Sequence, residues 1–167
     1  MINTIFTRPS GQKVTSKEII DIITNYILEN IHANYEITVG TDSQNFDRTK
    51  MVEVIAVHRI GKGGIFFYNI SYINKINNLR QKITEETQRS LTIADGLLEE
   101  LEISLIDHNI DINELNMNFQ IHCDIGQEGK TKTLIKEITN WVTSLGYICL
   151  IKPDSYTASG IANKYSK

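Results

Sequence analysis

The order in which hydrophobic periodicities follow one another restricts this chain's fold more than any other feature. Strand-like runs come near 36–42, 51–60 and 64–72, separated by the polar stretch 43–50 and by Gly61-Lys-Gly-Gly64. Connections that are short and glycine-bearing join antiparallel neighbours, so the three runs predict a meander. From about 79 to 108 the period becomes helical. Ile83, Thr87, Leu91, Ala94, Leu98, Leu101 and Leu105 form one stripe, and acidic residues fill the other face. The remainder reads as a strand ending at Asp124, a helix over about 130–145 with Gly146 as its C-cap, a strand over 147–151 and a short terminal helix after Pro153. Strand, helix, strand, helix calls for parallel pairing through right-handed crossovers, which makes the class α/β with a mixed sheet.

One further helix precedes the meander. Thr15-Ser16-Lys17-Glu18 is a capping-box pattern, and Ile19, Ile22, Ile23, Tyr26 and Ile27 recur at helical spacing, predicting a helix over about 16–31. No repeat, low-complexity tract or linker interrupts the 167 residues, and 41% hydrophobic content is ordinary for a globular chain, so one domain over 1–167 is expected. No apolar run reaches the ~18 residues that a membrane span needs, and no secretory signal pattern opens the chain, which predicts a cytoplasmic protein with no membrane partner. Cys123 and Cys149 fall in neighbouring expected strands without C-x-x-C spacing and read as reduced core residues.

Four acids, Asp42, Glu86, Asp124 and Asp154, are expected where elements open onto one edge of the sheet. Asp42 and Asp124 close strand runs, where ligands of open α/β sheets bind. Taken singly, Asp42 would start a turn; it is the recurrence of an acid, Asp124, at the equivalent end of another strand that gives the pair a functional reading, while Asp154 in Pro153-Asp-Ser reads equally as an N-cap. On the long helix Glu86 lies near the apolar stripe while Glu85 points away, so Glu86 is the expected helix acid and Glu85 the fallback. Carboxylates gathered in this way repel unless a cation lies between them, and an all-oxygen donor set suits Mg²⁺ or Mn²⁺. Two such ions activate a water and stabilise the leaving oxygen of a phosphoryl displacement.

Other chemistries find less support. There is no H-E-x-x-H or G-x-S-x-G, and the histidines do not cluster. Gly126-Gln-Glu-Gly129-Lys130-Thr131 lacks the first glycine of a P-loop, whose place is taken by Asp124. His122 would share the sheet face of Asp124, as a hydrogen-bonded core residue or a proton shuttle. The net charge of −3 argues against a protein that coats nucleic acid by basicity, yet six lysines between 130 and 167 face Glu137 and Asp154, making that part locally cationic. Lys130 and Lys152 are the expected contacts for substrate phosphate.

Four segments, Val39-Gly-Thr-Asp-Ser-Gln44, His122-Cys-Asp-Ile-Gly126 with Gly129-Lys-Thr131, Trp141 through Gly146-Tyr147, and Ile151-Lys-Pro-Asp-Ser-Tyr156 with Ala158-Ser159, resemble the YkuK-like family of ribonuclease H-like proteins. The resemblance covers most of the chain from about residue 13. It implies a ribonuclease H-like fold: a five-stranded mixed sheet in the order 3-2-1-4-5, flanked by helices on both sides, here with an extra N-terminal helix. Carried over by position, the family's metal acids fall on Asp42, Glu86, Asp124 and Asp154. Gln44 departs from the D-x-E of the related proofreading exonucleases, and a duplicated actin-like domain is missing. The function implied is a metal-dependent nuclease that hydrolyses phosphodiester bonds in RNA, an RNA–DNA hybrid or branched DNA; the alternative is a non-catalytic nucleic-acid-binding or scaffold module. Oligomeric state is left open, with the aromatic strand after Gly64 as a candidate for self-association.

Overall fold

The computed structural model describes residues 4–154. A hairpin of two-residue strands, β1 (Phe6–Thr7) and β2 (Lys13–Val14), leads into helix α1 (Ser16–Leu28). The meander follows as β3 (Asn34–Asn45), β4 (Thr49–Arg59) and β5 (Gly63–Ile73), then helix α2 (Leu79–Asp107), strand β6 (Asn116–Gly126), helix α3 (Ile135–Ser144) and strand β7 (Ile148–Lys152). The strands form one sheet in the order β2-β1-β5-β4-β3-β6-β7.

The expected 3-2-1-4-5 order is present as five consecutive members of that sheet, β5-β4-β3-β6-β7, but the sheet has seven strands, with both additions beyond β5. The two additions come from 4–14, where Gly11 adopts a φ of 91° and the chain reverses through hydrogen bonds from Arg8 N to Gln12 O and from Gly11 N to Arg8 O. Thr7 pairs with Tyr68, so β5 is not the edge of the sheet that the sequence suggested. A two-residue strand is too short to carry an alternation signal, which is why the hairpin escapes a periodicity reading.

Local rules account for the helices. Thr15 and Glu18 form the capping box reciprocally, at 3.2 and 3.1 Å, and Asn78 caps α2 through Gln81 N at 3.0 Å. The segment expected to be helical over 130–145 divides into a 3₁₀ stretch, Lys130–Leu134, and α3. Gly129 enters it at a φ of 85° with no side-chain cap, and the Thr131 hydroxyl is held by the Gly126 amide at 3.2 Å, which tightens the first turn. Gly146, at a φ of 92°, ends α3 as expected.

One main core joins Ile19, Ile23 and Ile27 of α1, Leu91, Leu97 and Leu101 of α2 and Ile138 and Val142 of α3 to the odd-numbered positions of the strands, such as Ile37, Val39, Ile55 and Ile121. Among the described residues the helices thus cover one sheet face, whereas helices on both sides were expected. The terminal helix anticipated after Pro153 lies outside the described residues. On the opposite face, even-numbered Val52 and Val54 make a small separate cluster with Tyr68 and Ile70. Among the described residues no helix is long and apolar enough to cross a membrane.

Candidate functional site

The parallel strands β3 and β6 stay paired from Asn34↔Asn116 to Gly40↔His122 and then separate. Asp42 and Asp124 stand two residues beyond that last pair, one on each strand. Asp42 is not past the end of β3, as expected, because β3 continues to Asn45 against β4 and Asp42 pairs with Val52. What opens at Asp42 is therefore the parallel seam, and the antiparallel one runs on.

Strand alternation sets where the acids point. Thr41, Ser43 and Cys123 face the helices, so Asp42 and Asp124 project from the other face. Burial raises the Asp42 pKa first, and the neighbouring Asp124 carboxyl raises it further, against the Ser43 amide, which donates to Asp42 Oδ1 at 3.0 Å, and the charge of Lys82. Asp124 meets a cation directly: Lys152 Nζ lies 2.6 Å from its Oδ1.

Glu86 approaches from the helix side. Of the two candidate helix acids, Glu86 is turned toward β3 and is 4% exposed, whereas Glu85 pairs with Arg89 at 2.8 Å. Ser43 Oγ donates to Glu86 Oε2 at 2.5 Å, and one turn further on Thr41 and Ser90 share a buried hydrogen bond of 2.8 Å. Burial is the main cause that lifts the Glu86 pKa to about 8; Ser43 and Lys82 oppose it, and Asp42 and Asp124 add to it. Asp42, Glu86 and Asp124 therefore act on one another around the point where β3 and β6 part.

Asp154 is not in that group. It sits at the turn out of β7, its amide bonded to Ile151 O, with its side chain exposed on the rim of a 520 Å³ cavity. That cavity lies on the face away from the helices and is also lined by Glu36, Thr38, Gln120, His122 and Leu150. His122 itself is 7% exposed. Lys130 is exposed at the start of the 3₁₀ stretch.

Sequence reasoning missed two contributors. Lys82 acts on both Asp42 and Glu86; it stands four residues before Glu86, the helical spacing that puts two side chains on one face, and that spacing could have revealed it. Glu53 on β4 is 5% exposed, accepts from Asn69 at 3.0 Å and lies 3.8 Å from Arg89, continuing the polar seam between α2 and the sheet. Its position inside the apolar run Met51-Val-Glu-Val-Ile-Ala56 was the available signal. Cys123 and Cys149 are free thiols as expected, with their sulfurs 3.8 Å apart.

As they lie, no three His, Cys, Asp or Glu side chains among the described residues are grouped to hold a metal ion. Two carboxylates come from one sheet face and the third from the other, and Lys152 engages Asp124. The donor chemistry nevertheless fits a hard divalent cation. Glu86 Oε1 is buried and has no hydrogen-bond partner among the described residues, while two of the three carboxyls carry raised pKa values that an added positive charge would reverse.

Comparison with known proteins gives consistent results. The family described as Ribonuclease H-like matches residues 18–167. A relative from Bacillus subtilis (strain 168), named Uncharacterized protein YkuK, is 33% identical over 174 aligned positions that cover 98% of this chain and 97% of that protein. No solved structure matches.

Proposed function

The chain belongs to the ribonuclease H-like family, and from that membership and the gathered carboxylates we propose that it is a metal-dependent nuclease hydrolysing nucleic-acid phosphodiester bonds. The observation that carries this reading is that Asp42 and Asp124, each two residues past the last β3–β6 pair, both act on the buried Glu86, whose Oε1 has no hydrogen-bond partner among the described residues. A purely structural carboxyl would not be kept 4% exposed with one oxygen lacking a hydrogen-bond partner among the described residues, because an unmet buried acceptor costs ~1–3 kcal/mol.

Asp42, Glu86 and Asp124 would hold Mg²⁺ or Mn²⁺; Asp154, on the rim of the neighbouring cavity, is left for the substrate side of the site. Bound there in a pair, such ions supply an activated water and stabilise charge on the leaving oxygen. The protein's own share is positioning. Ser43 fixes one oxygen of Glu86 by its hydroxyl and one of Asp42 by its amide, so both carboxyls are oriented by the same residue. Lys82, Lys130 and Lys152 supply positive charge for the phosphates that flank the scissile bond. The reading extends to RNA, RNA–DNA hybrids and branched DNA as substrates and to a cytoplasmic setting.

A second reading is favoured by the Lys152–Asp124 ion pair, which neutralises an acid without any metal: a nucleic-acid-binding or scaffold module whose carboxylates have become structural. One experiment separates the two. Labelled RNA–DNA hybrid, single-stranded RNA, duplex DNA and a four-way junction are incubated with Mg²⁺ or Mn²⁺ and with wild type, Asp42→Asn or Asp124→Asn protein. Cleavage reduced ~10²-fold or more in both variants supports the nuclease. No cleavage of any substrate, with both variants at least as stable as wild type, favours the module.

A further inference from the structure

Lys152 ends β7 opposite Gly126 of β6, and its ammonium reaches back two residues along β6 to Asp124. The approach depends on glycine: a Cβ at Gly126 would lie 3.1 Å from the Cβ of Lys152, so the lysine stem occupies the space a side chain would take. The contact is close, 2.6 Å, yet the lysine side chain is 56% exposed. Its charge also acts on Asp42 and Glu86. Lys82 influences two of the same carboxyls from α2 but makes no ion pair with them, and Lys130 is exposed beyond the turn at Gly129. A single ammonium thus touches one of the three carboxylates and influences the other two.

Resting on the nuclease reading above, we propose that Lys152 is a built-in competitor of the divalent ion, holding Asp124 by an ion pair that metal binding must break. A monovalent ammonium and a hard divalent cation seek the same carboxylate oxygen, and Asp124 Oδ1 cannot serve both at full strength. Lys152 is accordingly a positioning residue: it sets the metal concentration at which the site fills, and metal binding frees its ammonium for a substrate phosphate. An exposed, flexible lysine suits a displaceable cation, whereas a buried arginine fork would not be displaced.

The test is Mn²⁺ binding to the whole chain in the absence of any nucleic acid, followed by isothermal titration calorimetry and by the electron paramagnetic resonance signal of free Mn²⁺. Lys152→Met keeps the stem against Gly126 and removes the charge; Lys152→Arg keeps a charge. Lys152→Met is expected to bind Mn²⁺ about tenfold more tightly than wild type, which corresponds to about 1.4 kcal/mol, while Lys152→Arg, which keeps a competing cation, binds no more tightly than wild type. Asp124→Asn is expected to lose the binding. Thermal melting of each variant without metal verifies that the fold is retained, as the exposure of the side chain predicts. Equal or weaker binding by Lys152→Met, alongside loss in Asp124→Asn, overturns the competitor role and leaves the metal site standing. Absence of Mn²⁺ binding in wild type and Lys152→Met alike overturns the metal site itself, and the competitor with it.

Discussion

Glu86 is the residue at which sequence and site meet most directly. Its helical position relative to Ile83 was enough to choose it over Glu85, because an axial angle is a local quantity that the sequence carries. The raised pKa was not legible, since it arises from β3 and β6 closing over the carboxyl, and those strands lie far from it in sequence. Its sign has a consequence for stability. The folded chain binds the Glu86 proton more tightly than an unfolded chain with the ordinary value of 4.5, so the stabilising contribution is complete below that value and is lost as pH rises through about 8. Asp42, also raised mainly by burial, adds to the loss in the same direction. Glu86→Gln keeps an acceptor for Ser43 and carries no charge. Urea unfolding from about pH 5 to pH 9 is therefore expected to fall less steeply for Glu86→Gln than for wild type, with a gain over wild type at the alkaline end of up to about 4 kcal/mol. Equal slopes would mean that the pH dependence originates in other groups.

At the scale of elements, the seat of α2 on β3 is polar where it serves the site and apolar beyond it. Thr41–Ser90 and Ser43–Glu86 bridge the two elements, and from Leu91 onward the helix packs on Ile37, Val39 and Ile121. Removing one hydroxyl of the buried Thr41–Ser90 pair strands the other, whereas removing both leaves nothing unsatisfied. Thr41→Val and Ser90→Ala are each expected to cost ~1–2 kcal/mol in urea unfolding, and the double variant less than the sum; simple additivity would show the two hydroxyls to be independent. The bounds of α2 could be read closely from its stripe, as could the meander and the two crossover strands. The N-terminal hairpin could not, because β1 owes its place to Thr7 meeting Tyr68, a pairing across some sixty residues that no local pattern announces. The 3₁₀ start of the segment leading into α3 was likewise hidden, since it depends on the Thr131 hydroxyl finding the Gly126 amide.

For the whole molecule the decisive quantity is where charge lies, because a net charge of −3 opposes any polyanion at long range. On the proposed nuclease reading, nucleic acid would then have to be held by a local cationic region strong enough to offset that field. Of the lysines proposed to contact phosphate, Lys82 and Lys152 act on the carboxylates from α2 and β7, and Lys130 is exposed at the start of the 3₁₀ stretch, so the candidates come from three separate segments. Each phosphate neutralised by a lysine releases condensed counterions, giving a slope of log affinity against log salt of about −0.7 per contact on single strands and about −0.9 on duplex. Three contacts predict a total slope of about −2 to −3 for an oligonucleotide held without cleavage in Ca²⁺, a shallow dependence compared with that of basic nucleic-acid-coating proteins. Neutralising one lysine at a time, as Lys82→Met, Lys130→Met or Lys152→Met, is expected to reduce the slope by roughly one contact each, with little change between sequences because phosphates carry no base information. Fluorescence anisotropy across a salt series measures this directly. A slope that stays at the wild-type value in all three variants would place the nucleic acid on a different surface from the carboxylates, and a steeper wild-type slope would mean that lysines elsewhere, among those between 130 and 167, extend the track.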